Sequence, residues 1–513
     1  MIALAFFVAC VGARNAVETD PVAQLEQGQF LLAHTNDLHA HFLPDHADWM
    51  PDKPSIGGFV ALDAHVQSIR SVYGDDAVVL LDGGDILTGT PLMEVQAHGA
   101  FGGGMVELME GVGYDAWVVG NHEFDRGFDN AASLVEHSGI PVVGANLDAA
   151  GSEAAGGLPA LPGLRDHVVI ETNGLRVGVF GLTTEGLFHL ASPATMSRID
   201  VRPLMETAQQ QVGELEGEVD LVVALTHIGL EQDRELAAQV EGIDLIVGGH
   251  SHTRMTEYER VGDTIIVQAG SYGRQLGLWE VTVDDGSISE MTGGLVDLWP
   301  DDLPHPASEQ VSGLVAEWQN RIDETFALSV GSLEGDLMRK PGPESTMGMW
   351  ATDMVRVGAQ ADIGMYNAGG LRADLLAGPL TRGDVYQVFP FSNKLVRFEL
   401  TGAELVGLLL RGANAQLKGH RPLLWSGVRF EWAEVGGAPD LRSVHIGGKP
   451  LELEASYTIG TNSYVAQQWE HLLGVEPRAL MAFEESVFES AVRFASEGPV
   501  SIPHDPRNVF VQQ

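Results

Sequence analysis

The stretch G-N-H-E-F-D, residues 120–125, decides how this chain is read, because every other informative segment can be read as supplying a partner to it. It follows the apolar run A-W-V-V (116–119), which reads as a buried strand, so Asn121 and His122 are expected where a sheet edge opens into a loop. That is where α/β proteins keep their chemistry. An Asn offers a neutral carbonyl oxygen to a hard cation, and the imidazole after it can donate a proton or stabilise negative charge without being a ligand. Asp125, three residues after His122, is placed to hold that ring in one tautomer.

Outward from this centre the same arrangement recurs. A strand expected over 29–33 delivers H-T-N-D-L-H-A-H-F (34–42), in which Asp37 and His39 are two apart. Were the strand to persist they would share one face, and at its end they can converge on one ion. After a helical pattern over 56–70, a strand expected over 77–81 runs into D-G-G-D-I-L (82–87), whose glycines permit a tight approach to Asp85. A helix around 105–109 leads to the central strand, and strand-like runs at 141–146 and 176–180 lie on either side of a Gly- and Ala-rich loop (149–157). The strand expected over 220–225 presents His227 in T-H-I-G, and that over 243–247 presents His250 and His252 in G-G-H-S-H. Taken singly, each string is a polar loop after a strand. Five strand ends that all carry metal-type side chains are improbable by chance and point to a two-metal site.

Composition narrows the partners. At 513 residues the chain is too long for one ordinary core, and 44% apolar with 19% charged residues is globular usage. The formal net charge of -42, from 71 acidic against 29 basic residues, argues against nucleic acid or an anionic membrane as partner, since both would be repelled. A heavily solvated acidic surface accounts for most of it. An anionic substrate would need a strong local positive centre, which bound metal ions supply. Cys10 is the single cysteine, so no disulfide forms within the chain. The run I-A-L-A-F-F-V-A (2–9) is too short to span a bilayer and has the form of an export signal core. F-V-A-C (7–10) has the form of a lipoprotein cleavage box, which makes Cys10 a candidate lipid anchor and the expected location periplasmic or cell-surface. No later segment reads as transmembrane.

From residue 300 the pattern changes. W-P-D-D-L-P-H-P-A-S (299–308) is a proline-rich break, followed by an amphipathic helix expected over 309–326. The divisions are therefore 1–28 as leader and tether, 29–299 as the domain with the metal-type residues, 300–328 as a linker with a helix, and 329–513 as a second domain. Within the last, a helix expected over 346–358 and a strand over 362–366 lead to N-A-G-G-L-R (367–372). Its glycines let a backbone approach a ligand closely, and Arg372 offers a bidentate fork for phosphate or carboxylate.

D-L-H (37–39), G-D (84–85), G-N-H-E (120–123), a lone His227 and G-H-S-H (249–252) occur in an order that resembles the calcineurin-like metallophosphoesterases. More narrowly, H-T-N-D-L-H-A-H-F, G-N-H-E-F-D, G-L-T-T (181–184), T-H-I-G and Q-A-G-S-Y-G (268–273) are similar to the 5'-nucleotidase and UDP-sugar hydrolase family. The resemblance covers most of 30–284 and, less fully, 333–460. It implies an α/β protein: a four-layer metallophosphoesterase β-sandwich flanked by helices, a linker helix, and a smaller α/β substrate-binding domain. It implies one metal held by Asp37, His39 and His252, the other by Asn121, His227 and His250, with Asp85 bridging, and His122 with Asp125 as the catalytic dyad. The mixed nitrogen and oxygen donors suit two divalent ions drawn from Zn, Mn, Co or Fe.

In the second domain N-A-G-G-L-R resembles the family's N-G-G-G-x-R, which makes Asn367 and Arg372 candidates for substrate contact. Phe391 in F-P-F-S-N (389–393) matches the family's first base-stacking aromatic, and Tyr464 in T-N-S-Y (461–464) stands near the second. Two departures follow. The arginines that the family commonly carries around 343–350 are absent, and after Tyr464 the expected Gly-Gly-Asp-Gly is replaced by Q-Q-W-E (467–470). The expected function is an exported dinuclear-metal phosphoesterase that hydrolyses 5'-nucleotides or nucleotide sugars by attack of metal-activated water on phosphorus. The alternatives are a related metallohydrolase acting on another phosphate ester, a 2',3'-cyclic nucleotide or a thiosulfate-type sulfur bond, and a surface binding protein with a diverged second domain.

Overall fold

Runs such as V-V-L-L-D (Val78–Asp82), in which every residue is buried, form parallel strands covered on both faces, which is why they read as continuous apolar stretches. The computed structural model describes residues 25–511 apart from 48, 152–158, 192, 340–344, 421–422, 499 and 502–506. The expectations for Cys10 and the 2–9 run, most of the tether, most of the 149–157 loop and the start of 343–350 lie outside these residues.

The first half is built on two six-stranded sheets. One runs in the order Ser287–Asp297, Gln275–Asp284, Gln29–Thr35, Val78–Asp82, Ala116–Val118, Val142–Val143. The other runs His167–Thr172, Leu175–Thr183, Leu221–His227, Leu245–Gly248, Thr264–Val267, Glu259–Val261. The period of two in Gln29–Thr35 sends Phe30 and Leu32 inward against Val177, Val179, Val223 and Leu225 of the facing sheet, and Leu31 and Ala33 outward. Helices Phe59–Tyr73 and Gly103–Val112 cover the outer face of the first sheet, and Leu204–Leu215 and Leu230–Gln239 that of the second. This is the four-layer arrangement expected. The carboxyl ends of Val78–Asp82, Ala116–Val118 and Leu221–His227 open on one side, where Thr183 Oγ1 donates to the Val119 carbonyl at 2.6 Å and ties the two sheets.

The second half carries a five-stranded sheet, ordered Leu423–Ser426, Ile363–Asn367, Ser456–Asn462, Lys394–Thr401, Arg478–Ser486, and a four-stranded sheet that ends in Asn508–Phe510. Helix Thr346–Gly358 packs on one face of the five-stranded sheet, while Gly402–Leu417 closes a separate apolar cluster with Phe398, Trp425 and Trp432. Among the described residues no helix is long and apolar enough to cross a membrane.

Helix Glu309–Phe326 has the bounds read from its periodicity, but it is a packed element shared by both halves. Trp318 is buried against Gly104, where an added Cβ would lie 3.0 Å from the indole, so any larger residue would push the ring back. At the other end Phe326 meets Tyr386 and Phe488 with ring centroids 5.4 and 6.3 Å away, and Tyr386 Oη donates to Glu94 at 2.7 Å. One apolar cluster therefore runs from Leu31 through Trp318 to Trp350. Burial of this kind is worth about 3–5 kcal/mol for a single large aromatic, judged from its truncation to Ala.

Candidate metal centre and the face opposite it

The candidate residues reach one point because the loops leave their strands abruptly. Asp37, His39, Asp85, His250 and His252 all hold left-handed backbone, with φ of 52°, 49°, 55°, 74° and 54°. Such angles are costly for residues with a Cβ and persist only where surrounding structure fixes them. Here the loops fix one another: Asp37 N–H donates to Gly84 O at 2.8 Å, His39 N–H to Asp85 O at 2.9 Å, and Tyr272 N–H to Asp37 O at 2.8 Å. The first strand, expected over 29–33, runs to Thr35, and Asp37 and His39 follow it in a turn that brings them together. His227 is the last residue of its strand.

Three groups of side chains could each hold an ion: Asp37, His39 and His252; His39, Asp85 and His122; and Asp85, His227 and His250. His252 Nε2 is 3.2 Å from Asp37 Oδ1 and 3.1 Å from His39 Nε2. His227 Nε2 is 3.0 Å from Asp85 Oδ2, which also lies 4.0 Å from His39 Nε2 and 3.9 Å from His122 Nε2. Asp85 thus stands between the groups.

The donor atoms fit cations. His39 Nδ1 lies 2.9 Å from Thr88 O, and His227 Nδ1 lies 2.7 Å from Gly83 O. A carbonyl only accepts, so each Nδ1 carries the proton and each Nε2 turns a lone pair inward, the arrangement that orients metal-binding histidines. Asp37 Oδ1, Asn121 Oδ1 and His227 Nε2 are buried without a hydrogen-bond partner, close as some of their neighbours are. Buried lone pairs facing one another are costly unless positive charge sits among them. Burial opposes a charge on His227, yet the Asp85 carboxylate outweighs it and lifts the imidazole to about 10, so positive charge is favoured at this point, as a proton on Nε2 or as a cation in its place.

His122 stands at the edge. Its Nδ1 is 2.6 Å from Asp125 Oδ2, and its backbone N–H donates to Asp85 Oδ1 at 2.8 Å. Burial works to lower this imidazole, but the carboxylates of Asp125 and Asp85 together with the Asp125 hydrogen bond outweigh it, and the net shift is upward.

From the second half, Arg372 reaches across so that Nη2 lies 3.2 Å from His39 Nε2. The Phe391 ring sits 5.8 Å from that of His122, tilted by 32°. Tyr464 is close enough to Asp125 for the carboxylate, after burial, to raise its phenol. Asn367 Oδ1 accepts from Asn462 Nδ2 at 2.9 Å, a bond made within the second half.

Three residues at the centre had no role in the sequence reading. Asn36 donates to Asp37 Oδ2 at 2.7 Å and to Gly270 O at 2.7 Å. Tyr272 packs its ring 4.3 Å from that of His41 and 5.6 Å from those of His39 and His252. Glu123 is fully buried and accepts only backbone N–H groups. Each lies inside a quoted motif, which is the one signal that marked them.

A helix-covered double sheet whose strand ends gather histidines and carboxylates around shared donor points defines a metal-dependent hydrolase of the metallophosphoesterase class. Residues 30–254 match the family described as calcineurin-like phosphoesterase, and residues 329–473 match the family described as 5'-nucleotidase, C-terminal domain. The chain is 27% identical over 491 residues to a 5'-nucleotidase of Vibrio vulnificus, covering 85% of this chain and 84% of that protein. It is 29% identical over 481 residues to the trifunctional nucleotide phosphoesterase YfkN of Bacillus subtilis, covering 85% of this chain but spanning only 31% of that longer protein. Among solved structures, a 5'-nucleotidase precursor from Thermus thermophilus superposes with a TM-score of 0.81 at 26% identity, covering 94% of this chain and 99% of that one. The chain therefore carries a calcineurin-like phosphoesterase domain followed by a 5'-nucleotidase C-terminal domain.

Proposed function

We propose that the protein is an exported dinuclear-metal phosphoesterase that hydrolyses 5'-nucleotides, nucleotide sugars or both. The observation that carries the substrate half of this reading is Arg372, which comes from the second domain yet lies 3.2 Å from His39 Nε2 of the first. A guanidinium there faces whatever anion occupies the centre, and in so acidic a chain it is a needed local cation.

Asp37, His39 and His252 would hold one ion, and Asn121, His227 and His250 the other, with Asp85 shared. Two such ions, when bound, polarise the phosphate oxygens and make a nucleophilic water available near neutral pH. The chain's own groups do the rest. Arg372 docks the phosphate, and Phe391, beside His122, offers a face for the base. Asp125 holds His122 Nδ1, so that Nε2 is the free corner of the ring; it points to the side of Asp85 and gives a proton to, or steadies, the leaving oxygen. Cys10 would anchor the exported protein to lipid.

Phosphate release from AMP, UDP-glucose and p-nitrophenyl phosphate by chelated protein reconstituted with Mn²⁺, Zn²⁺, Co²⁺ or Fe²⁺ tests the reading. Turnover of AMP is expected. Release from p-nitrophenyl phosphate alone would reduce the protein to a general phosphatase, and release from none would end the proposal. Membrane fractionation of the wild type against Cys10→Ala tests the anchor, which fails if both fractionate alike.

A further inference from the structure

The hydrogen bonds of Glu123 run to backbone amides on loops that carry members of the three ion-holding groups. Its Oε2 accepts the N–H of Gly120 at 2.7 Å and of Asp85 at 3.2 Å, and its Oε1 accepts the N–H of Leu87 at 3.2 Å. Those amides lie on two loops, one after Val78–Asp82 and one after Ala116–Val118. Each adjoins a proposed ligand. Gly120 precedes Asn121. Asp85 is itself the shared carboxylate. Leu87 and the next residue place their carbonyls 3.1 and 2.9 Å from His39 Nδ1, which sets the tautomer of that ring.

The two loops also meet directly. A Cβ on Gly120 would lie 2.2 Å from Asp85 Oδ1, so there is no room for a side chain between them, and the same oxygen accepts the His122 N–H at 2.8 Å. At 0% exposure a carboxylate is costly to bury unless its oxygens are paired, and here the pairing is spent on amides that the left-handed turn at Asp85 would otherwise leave unmatched.

We infer that Glu123 is a positioning residue that holds Asp85, Asn121 and the His39 tautomer in ion-ready places before any ion is bound. It does not touch substrate. The inference rests on the metal-centre reading, and the two fail separately.

The test is calorimetric titration of the chelated full chain with Mn²⁺ and with Zn²⁺. Wild type that takes up neither ion overturns the metal-centre reading itself. Given wild-type uptake, Glu123→Gln keeps the size of the side chain but turns an NH₂ toward one of the three N–H groups. Its ion affinity is expected to fall about 10- to 100-fold, the usual effect of losing a group that orients ligands, while the ion-free protein is still folded at the titration temperature, checked by its melting curve. Wild-type affinity in the variant overturns the inference. If the variant does not fold, amide exchange in the ion-free wild type decides: slow exchange over 85–87 and 120 supports it, and exchange as fast as in exposed loops overturns it.

Discussion

The two faces of the cleft are built by opposite rules. On the first-domain side Asp37, His39, Asp85 and His227 are at most 2% exposed, and each has a neighbouring backbone group that fixes its orientation. On the second-domain side Arg372, Phe391 and Tyr464 are half-buried. The difference fits what each side would hold under the proposed function. Ions demand donors converging within tenths of an ångström, whereas a stacked base or a docked phosphate tolerates displacement. The reaction should therefore fail sharply when the first face is altered and by degrees when the second is.

The largest effect belongs to Asp85, which takes part in two of the three groups. Asp85→Asn should lower ion stoichiometry and cut phosphate release by more than the roughly 10²–10³-fold of a lost oxyanion donor. Retention of both ions and of turnover would break the comparison. His122→Ala should reduce kcat about 10²–10⁴-fold with ion content intact, measured by turnover alongside elemental analysis. On the other face, Arg372→Ala removes charged hydrogen bonds worth about 1.5–3 kcal/mol, so kcat/KM should drop roughly 10- to 100-fold. An unchanged value would mean that the second domain does not dock phosphate. Phe391→Ala should raise KM for AMP by a stacking loss of about 1–3 kcal/mol and leave glycerol phosphate unaffected, which separates base recognition from catalysis.

The last effect falls on stability and not on turnover, in the scaffold under the first face. Asp233 is fully buried with Thr226 Oγ1 donating to it at 2.6 Å, and burial pushes its carboxyl up to about 7. In the unfolded chain the same group releases its proton near 4. Between those values the folded state binds the extra proton, so this group's contribution to stability declines as pH rises from about 4 to about 7 and is level above. Asp233→Asn should gain on wild type across that window by at most about 1.4 kcal/mol per pH unit, read from melting temperatures at pH 5 and pH 8. Parallel curves would show that the carboxyl is not shifted.

Much of this arrangement could be read from the chain alone, and where it could not the cause is identifiable. Helix Glu309–Phe326 was legible to the residue because its apolar face repeats with the helical period, but periodicity does not say what covers that face, and Gly104 and Tyr386 do. The run 141–146 reads as a strand, yet pairing is confined to Val142–Val143, because Asn146 satisfies the Thr183 backbone with its side chain: Oδ1 accepts at 2.9 Å and Nδ2 donates at 2.7 Å. Glu123 passed unnoticed because an acidic residue in a polar loop reads as solvated, and only burial reveals its three amides. The left-handed angles of Asp37, His39, Asp85, His250 and His252 were hidden for a related reason: none is glycine, so nothing local favours the turn.

The sequence by itself determined the strands, the histidines and carboxylates at their ends, and the change of character at residue 300, since apolar period and residue chemistry are local properties. The fold sets which lone pairs face one another, which amides Glu123 gathers, and how closely Arg372 and Phe391 approach His39 and His122. Those depend on contacts between residues as far apart as His39 and Arg372, and no local preference encodes a distance across the fold.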